Sequence, residues 1–227
     1  QLVILPSSCA VYGNTGPEPA EPMRTKPSPL SIYGLSKVLA EQILTMWARD
    51  SGNTAMILRV GNVVGRGCGG LIPYLVHHAV RNQDPVVPAR MRGAGRIVRD
   101  YVPVDYVSQA MLAAAEQRLP SGTALTLNVG SGEGMTNREV AEIVRAVLGL
   151  HGYVLTIEWQ TEPAYGEALI ALLDVKQTEQ RLGLERPSRV SVHRVIEEAA
   201  LHCLEVGTRR QESQRSVTTY PLPASAG

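Results

Sequence analysis

The chain alternates short, mainly apolar runs with longer stretches in which apolar residues recur at helical spacing. The apolar runs predict buried strands, and the helical spacing predicts amphipathic helices. The predicted strands are 2–5, 56–60, 102–104, 125–129 and 154–159, and the predicted helices are 31–51, 71–82, 105–117, 136–148, 175–182 and 190–206. Buried strands that alternate with helices along the chain are typical of a parallel α/β sheet. The pattern therefore predicts an α/β protein.

Capping residues and turn residues mark where these elements begin and end. Asp105 is the predicted N-cap of one helix, and Thr136 with Glu139 three residues later predicts a capping box at the next. The glycine-rich stretch 61–70 is predicted as a loop after a strand. The polar stretch 207–227 is expected to be a disordered tail.

Ligands of parallel α/β sheets bind beyond the carboxyl ends of the strands. Three polar or glycine-containing pairs follow predicted strands here: Ser7-Ser8, Gly61-Asn62 and Gly130-Ser131. We therefore expect the ligand site at these three positions.

Composition narrows the class of partner. The chain has 227 residues, 44% hydrophobic and 19% charged, with a formal net charge of +1, which gives no electrostatic footprint for nucleic acid or an anionic membrane. No apolar run approaches the ~18 residues of a membrane span. The three cysteines, Cys9, Cys68 and Cys203, are odd in number and far apart, which favours a reducing, cytoplasmic location. The five histidines form no ligand-spaced cluster, so no metal site is predicted.

Tyr33 and Lys37 form the most informative pair in the chain. Four residues apart on a predicted helix, they lie on one face, where the ammonium favours the phenolate form of the tyrosine. Such a pair is a general base built from two side chains. The spacing alone also fits a packed tyrosine beside an unrelated solvated lysine. About 0.1 Tyr–Lys pairs four residues apart are expected by chance in this composition, so the surrounding sequence must decide between the two interpretations.

An ordered series of segments surrounds this pair and raises its specificity. The segments are Ser7-Ser8-Cys9-Ala10-Val11-Tyr12-Gly13, Tyr33-Gly34-Leu35-Ser36-Lys37, Leu58-Arg59-Val60-Gly61-Asn62, Arg99-Asp100-Tyr101 and Asn128-Val129-Gly130-Ser131-Gly132. In this order and spacing the chain resembles the extended short-chain dehydrogenase/reductase family, in its nucleotide-sugar epimerase/dehydratase branch, over residues 2–205.

The resemblance implies a partial Rossmann-like parallel sheet with a smaller C-terminal α/β domain that binds the substrate. Residues 1–61 and 102–133 would form the C-terminal part of the NAD-binding domain, and 62–101 and 134–206 the substrate domain. It also implies a nucleotide-sugar substrate, either a UDP- or a dTDP-sugar, and a homodimer built through a four-helix bundle that would include the Tyr33 helix.

The resemblance assigns roles to the residues of the pair and its neighbours. Tyr33 would take the proton of a sugar hydroxyl while hydride passes to NAD, and Lys37 would hold the nicotinamide ribose and favour the phenolate. Ser8 would bridge the tyrosine and the reacting sugar oxygen. Val60, at the end of its strand, would contact the cofactor together with Tyr33 and Lys37.

Further positions match residues that contact the substrate in the family. Asn62 would lie near the diphosphate, and Arg99 would hold the diphosphate, which suits a planar guanidinium. Cys9 and Arg92 complete the expected substrate-binding set with Ser8. The alternatives are an Asx turn for Asn62 and a salt bridge with Asp100 or Asp105 for Arg99.

The two residues after Ser8 separate the activities of the family. The related 4,6-dehydratases carry Asp-Glu there, whereas this chain has Cys9-Ala10. The resemblance therefore implies 4-epimerisation, which needs no additional acid. The alternatives are another dehydration, with the Cys9 thiol as acid, and a truncated remnant without catalysis. For Cys9 itself, a small buried apolar role is the favoured interpretation.

The chain also departs from the family pattern. The family's R-x-G-D segment reads Ala164-Tyr165-Gly166-Glu167 here, so its second diphosphate arginine is replaced. The opening G-x-x-G-x-x-G turn, whose backbone N–H groups hold the dinucleotide pyrophosphate, has no counterpart. The expectation is that the first four strands of the family fold precede Gln1 and are missing. The glycines at 65–70 are interpreted as turn residues of a loop rather than as a phosphate-binding motif.

Overall fold

The computed structural model describes residues 1–83 and 86–217. The strands are β1 (Leu2–Ser8), β2 (Thr54–Val60), β3 (Asn62–Val64), β4 (Ala89–Met91), β5 (Val98–Pro103), β6 (Ala124–Val129), β7 (Gly134–Thr136), β8 (Ile157–Trp159) and β9 (Ile170–Ala171). The helices are α1 (Ile32–Ser51), α2 (Leu71–Arg81), α3 (Val104–Ala115), α4 (Asn137–Leu150), α5 (Lys176–Leu182) and α6 (Arg189–Val217), with short 3₁₀ turns at Cys9–Val11 and Gly93–Gly95.

The first sheet is parallel, with strand order β1-β2-β6. Alternate residues of β2 point to opposite faces, so Met56 and Leu58 pack with Leu127 of β6 and Ala110 of α3 in one cluster. Helix α1 packs along the other face. This arrangement confirms the predicted α/β class and its parallel sheet.

The remaining strands form smaller sheets. In one, β5 pairs in parallel with β3 and β9 and antiparallel with β7; in the other, β4 pairs in parallel with β8. Helices α2, α4 and α6 contact one another and bury a cluster that includes Leu75, Val144, Leu148 and Ile196. Leu182 of α5, by contrast, packs in the cluster of the first sheet, although residue 182 belongs to the range predicted for the substrate domain.

Several predicted boundaries are corrected. The N-cap of α3 is Pro103, not Asp105. Asp105 lies in the first turn, where its negative charge interacts favourably with the positive end of the helix dipole. Residues 62–64 form strand β3 within the predicted loop. In the range 154–159, only Ile157–Trp159 is a strand. The capping box of Thr136 and Glu139 is confirmed.

The predicted start of a disordered tail at Gly207 is wrong, because α6 continues to Val217. The segment is polar, but Arg, Gln and Glu are among the better helix formers, so polarity alone does not end a helix. Residues 218–227 lie outside the described part of the chain.

Two surfaces in the described part of the chain expose apolar residues. Among the described residues, strand β1 pairs with β2 alone, and Leu2 to Leu5 are partly buried. On α1, exposed apolar residues recur three or four positions apart and form one stripe: Ile32, Leu35, Leu39, Ile43 and Met46. None of the helices in the described ranges combines the length and apolarity that crossing a bilayer requires. Within the same ranges, no three potential metal ligands come together.

Candidate active site

The start of α1 is fixed against the turn that follows β1. Ser31 is the N-cap, and its hydroxyl accepts a hydrogen bond from Gly34 N at 3.1 Å. A Cβ at Gly34 would lie 2.5 Å from the carbonyl oxygen of Ala10, so only glycine allows this close approach. The contact brings Tyr33, which is 56% exposed, to the same cleft as Ser8.

Lys37 lies one turn further along the helix. Its Nζ is 5.8 Å from the centre of the Tyr33 ring and donates a hydrogen bond to the carbonyl oxygen of Pro6 at 3.1 Å. The ammonium is therefore held between the tyrosine and the backbone of β1. Lys37 is not among the residues that line the cleft.

The cleft has a volume of about 500 Å³ and lies at the carboxyl ends of β1 and β2. Five of the predicted site residues line it: Ser8, Cys9, Tyr33, Asn62 and Arg99. A second cavity of about 190 Å³ shares Asn62 and Arg99 with it and reaches the glycine-rich loop at Gly69 and Gly70. The structure thus brings most of the predicted set together around two adjacent cavities.

Besides Lys37, two predicted residues do not line the cleft. Val60 is buried at the end of β2, opposite Ser8 on one side and Val129 on the other, and does not line the cleft. Arg92 is exposed after β4 and lines neither cavity. Their roles stay predictions.

Ser8 and Cys9 form the turn after β1. The Ser8 hydroxyl oxygen accepts a hydrogen bond from Ala10 N at 3.2 Å. The Cys9 side chain is buried, and burial together with the nearby Asp100 carboxylate raises the pKa of its thiol to about 11. A thiol with this pKa remains protonated at neutral pH, which agrees with a packing role for Cys9.

Arg99, on β5, has both terminal nitrogens engaged. Nη1 donates to the carbonyl oxygen of Val98 at 2.9 Å, and Nη2 donates to Glu167 Oε1 at 3.2 Å. The acidic partner of Arg99 is therefore Glu167, not Asp100 or Asp105. The Asp100 carboxylate accepts a hydrogen bond from Ser131 N instead.

Asp100 was not expected to connect elements, yet it is fully buried and accepts hydrogen bonds from the loop after β6. Oδ1 accepts from Ser131 N at 2.7 Å and Ser131 Oγ at 2.8 Å, and Oδ2 accepts from Gly132 N at 3.0 Å. Burial raises the pKa of this carboxyl to about 6. A Cβ at Gly130 would lie 2.6 Å from the carboxylate, so the glycine makes room for it. These contacts tie β5 to the end of β6.

A second buried network, also missed from the sequence, holds α1 on the sheet. Glu41 accepts from Arg59 Nε at 3.0 Å and Nη2 at 2.6 Å, and from Ser7 Oγ at 2.5 Å. The Arg59 guanidinium also lies 4.7 Å from the centre of the Tyr12 ring, whose hydroxyl donates to Asn128 Oδ1 at 2.7 Å. A charged residue inside the apolar run of β2 was the available signal, because a buried charge requires a partner.

The segment Ala164–Glu167 forms part of the cleft wall. Tyr165, Gly166 and Glu167 line the cleft, with Tyr165 fully exposed, and Glu167 also lines the second cavity. The part of this loop in substrate binding stays a prediction.

Comparison with known protein families identifies the family of this chain. A model of the NAD dependent epimerase/dehydratase family matches residues 1–130, more than half of the chain. The chain belongs to this family. The family match and the parallel α/β sheet agree with the fold and the branch that the motif series predicted.

Individual relatives of this epimerase/dehydratase family member point the same way. It is 30% identical over 162 residues to a UDP-glucose 4-epimerase of Streptomyces lividans, a match that covers 65% of this chain and 47% of that protein. It is 30% identical over 135 residues to a dTDP-L-rhamnose 4-epimerase of Burkholderia thailandensis, covering 58% and 36%. The chain spans about half the length of the curated relatives it matches.

Among solved structures, the chain is similar to a UDP-glucose 4-epimerase of Thermotoga maritima with UDP-glucose. The identity is 26% and the TM-score is 0.73, with 93% of this chain and 64% of that chain covered. A UDP-glucuronic acid 4-epimerase of Bacillus cereus, in complex with UDP-glucuronic acid and NAD, has a TM-score of 0.78 at 19% identity and supports the fold alone.

The family is NAD dependent, and the described residues fit the nicotinamide ribose of NAD but not its pyrophosphate. Tyr33 is exposed at the cleft, and the Lys37 ammonium is fixed beside it. These two residues would hold the nicotinamide ribose. The pyrophosphate part has no equivalent cradle in residues 1–83 and 86–217, since the glycine-rich loop before α2 lies at the second cavity instead.

Proposed function

We infer that the chain is an NAD-dependent nucleotide-sugar 4-epimerase, or the C-terminal portion of one. The observation that carries this inference is the meeting of Ser8 and Tyr33 in one cleft, next to a second cavity with which it shares Asn62 and Arg99. A sugar would occupy the space beside Ser8 and Tyr33, and its diphosphate would extend toward Arg99. The family relationship supports this assignment.

The chain's own residues would handle the proton at the sugar C4 hydroxyl. Tyr33, as the phenolate, would accept this proton and become the neutral phenol, and the Lys37 ammonium, 5.8 Å from the ring centre, would interact favourably with the phenolate charge. The Ser8 oxygen accepts the Ala10 N–H, which leaves the Ser8 hydroxyl hydrogen available for the sugar oxygen. The cofactor of the family, when bound, supplies reversible hydride transfer at C4.

A dehydration that uses Cys9 as the acid is the second candidate. The burial of Cys9 and its pKa of about 11 oppose this role, because a group this basic and desolvated is poorly matched to proton transfer near neutral pH. Ala10, the following residue, has no ionisable group. The epimerase is therefore favoured over the dehydratase.

The test is direct turnover. The chain, together with any in-frame coding sequence that precedes Gln1, is incubated with NAD and either UDP-glucose or UDP-galactose, and interconversion at C4 is followed by NMR. We expect both sugars to reach the same equilibrium mixture. Solvent deuterium at C5 or C6 would instead identify the dehydratase. Bound NAD without turnover of any UDP- or dTDP-sugar would rule out both enzymes and leave the non-catalytic remnant.

The exposed stripe on α1 supports a homodimer as the form of this enzyme. Five apolar side chains on consecutive turns, all at least 49% exposed, match the seam of a helical bundle: Ile32, Leu35, Leu39, Ile43 and Met46. Sedimentation velocity should show a dimer that Leu39→Glu converts to monomer, while Leu112→Glu, an exposed site on α3, should leave it intact. A wild-type monomer at micromolar concentration contradicts this proposal.

A further inference from the structure

The walls of the two adjacent cavities carry one cationic and one anionic side chain. Of the described residues that line them, only Arg99 and Glu167 have charged side chains. Their formal charges cancel, so these walls carry no net charge, and the Lys37 ammonium beside Tyr33 is not among the lining residues. A nucleoside diphosphate carries at least two negative charges, which makes this balance important for the proposed substrate.

The two groups are bound to each other and to the backbone. Arg99 Nη2 donates to Glu167 Oε1 at 3.2 Å, and Nη1 donates to the carbonyl oxygen of Val98 at 2.9 Å. Glu167 Oε2 accepts from Ala164 N at 3.2 Å, which holds the carboxylate in the loop. The Arg99 side chain is only 14% exposed and that of Glu167 30%, so water screens their attraction less than at an open surface.

The sequence of the loop strengthens this effect. Ala164 and Tyr165 place no cation next to Glu167, and Arg99 is the one cation of the cavity walls that the structure describes. Any phosphate that approaches Arg99 therefore meets the Glu167 carboxylate at the same guanidinium. Like charges brought together in a partly desolvated site are unfavourable.

We propose that Glu167 is a specificity-determining residue of the cleft, which weakens the binding of the phosphate part of a nucleoside diphosphate by occupying Arg99 and cancelling its charge. This proposal rests on the proposed function, since it concerns the same site. It makes the recognition of the ligand depend more on its nucleoside and sugar than on its charge.

The test compares ligands that differ only in charge. Isothermal titration calorimetry measures the binding of uridine, UMP and UDP to the full chain and to Glu167→Gln. We expect Glu167→Gln to bind UDP about tenfold more tightly, UMP less so, and uridine with unchanged affinity, because only the charged ligands compete with the carboxylate. Glu158→Gln is the matched control, since Glu158 is exposed on β8, pairs with Arg90 and lies outside both cavities.

A second variant keeps the test valid if Glu167→Gln perturbs the fold. Ala164→Arg leaves the Arg99–Glu167 pair in place and adds one positive charge to the loop, so it should also tighten UDP and leave uridine unchanged. If wild type binds UDP and neither variant tightens it, or if both variants tighten uridine equally, the role of Glu167 is refuted while the proposed function stands. If no variant binds UDP, the nucleotide-sugar site itself is refuted, and the role of Glu167 with it.

Discussion

Replacing Tyr33 with Phe is expected to lower the rate of C4 epimerisation by on the order of 10²–10⁴-fold, the range for loss of a general acid–base group. The change removes one hydroxyl from a side chain that is 56% exposed at the cleft. The Ser31 cap and the Gly34–Ala10 contact, which position the start of α1, do not involve that hydroxyl. We therefore expect kcat to decrease, while the folding of the chain and the affinity for UDP stay unchanged.

The measurement is turnover of UDP-galactose, with UDP affinity determined in parallel. Tyr74→Phe is the matched control, because Tyr74 is also a partly exposed helical tyrosine, on α2, and lies outside both cavities. The control should retain wild-type turnover. An active Tyr33→Phe enzyme, within threefold of wild type, would remove Tyr33 from the mechanism.

Replacing Glu41 with Gln is expected to lower the free energy of unfolding by about 3–5 kcal/mol, the usual cost of breaking a buried ion pair from one side. Glu41 and Arg59 side chains are each 7% exposed, and Arg59 would keep its charge without a carboxylate partner. Arg59 Nη1 has no hydrogen-bond partner even in the intact protein, so the guanidinium has no spare contact to compensate. Ser7 would also lose its charged acceptor.

Thermal unfolding followed by circular dichroism checks this expectation. For a chain of this size, the loss corresponds to a fall in Tm of about 10 °C. Glu142→Gln is the control, since Glu142 forms an exposed pair with Arg145, and such pairs contribute about 0–1 kcal/mol. Equal effects of the two substitutions would show that the Glu41–Arg59 pair does not hold α1 on the sheet.

The predictable parts of the fold were those encoded by local pattern. The apolar run at 56–60 specified β2, and the helical spacing after Ser31 specified α1, because each pattern arises from the periodicity of the element itself. The capping box of Thr136 and Glu139 spans only three residues and was equally visible. The short strands β3, β7 and β9 were not predicted, because two or three residues carry too little periodicity and pair only with distant segments.

The candidate site divides in the same way. Ser8, Tyr33 and Asn62 follow from their places at strand ends and on a helix face, and the structure finds them in one cleft. Glu167 lies 68 residues from Arg99, and no local pattern connects the two. The alternative to a diphosphate role for Arg99 was a salt bridge with a sequence neighbour, Asp100 or Asp105. In the structure, the Asp100 carboxylate binds Ser131, and Asp105 lies in the first turn of α3.

The sequence by itself determined the α/β class, the family and the Tyr33–Lys37 pair, because these depend on spacing along a helix or a strand and on the order of motifs. The tertiary structure decided which charges meet: Glu41 with Arg59, Asp100 with the Ser131 loop, and Glu167 with Arg99. The physical reason is that a buried or half-buried charge is satisfied by whatever the packed chain brings within hydrogen-bond distance. That distance is set by the packing of elements far apart in sequence. The Tyr33–Lys37 pair could therefore be predicted from the sequence, whereas the pairing of Glu167 with Arg99 in the cleft wall could not.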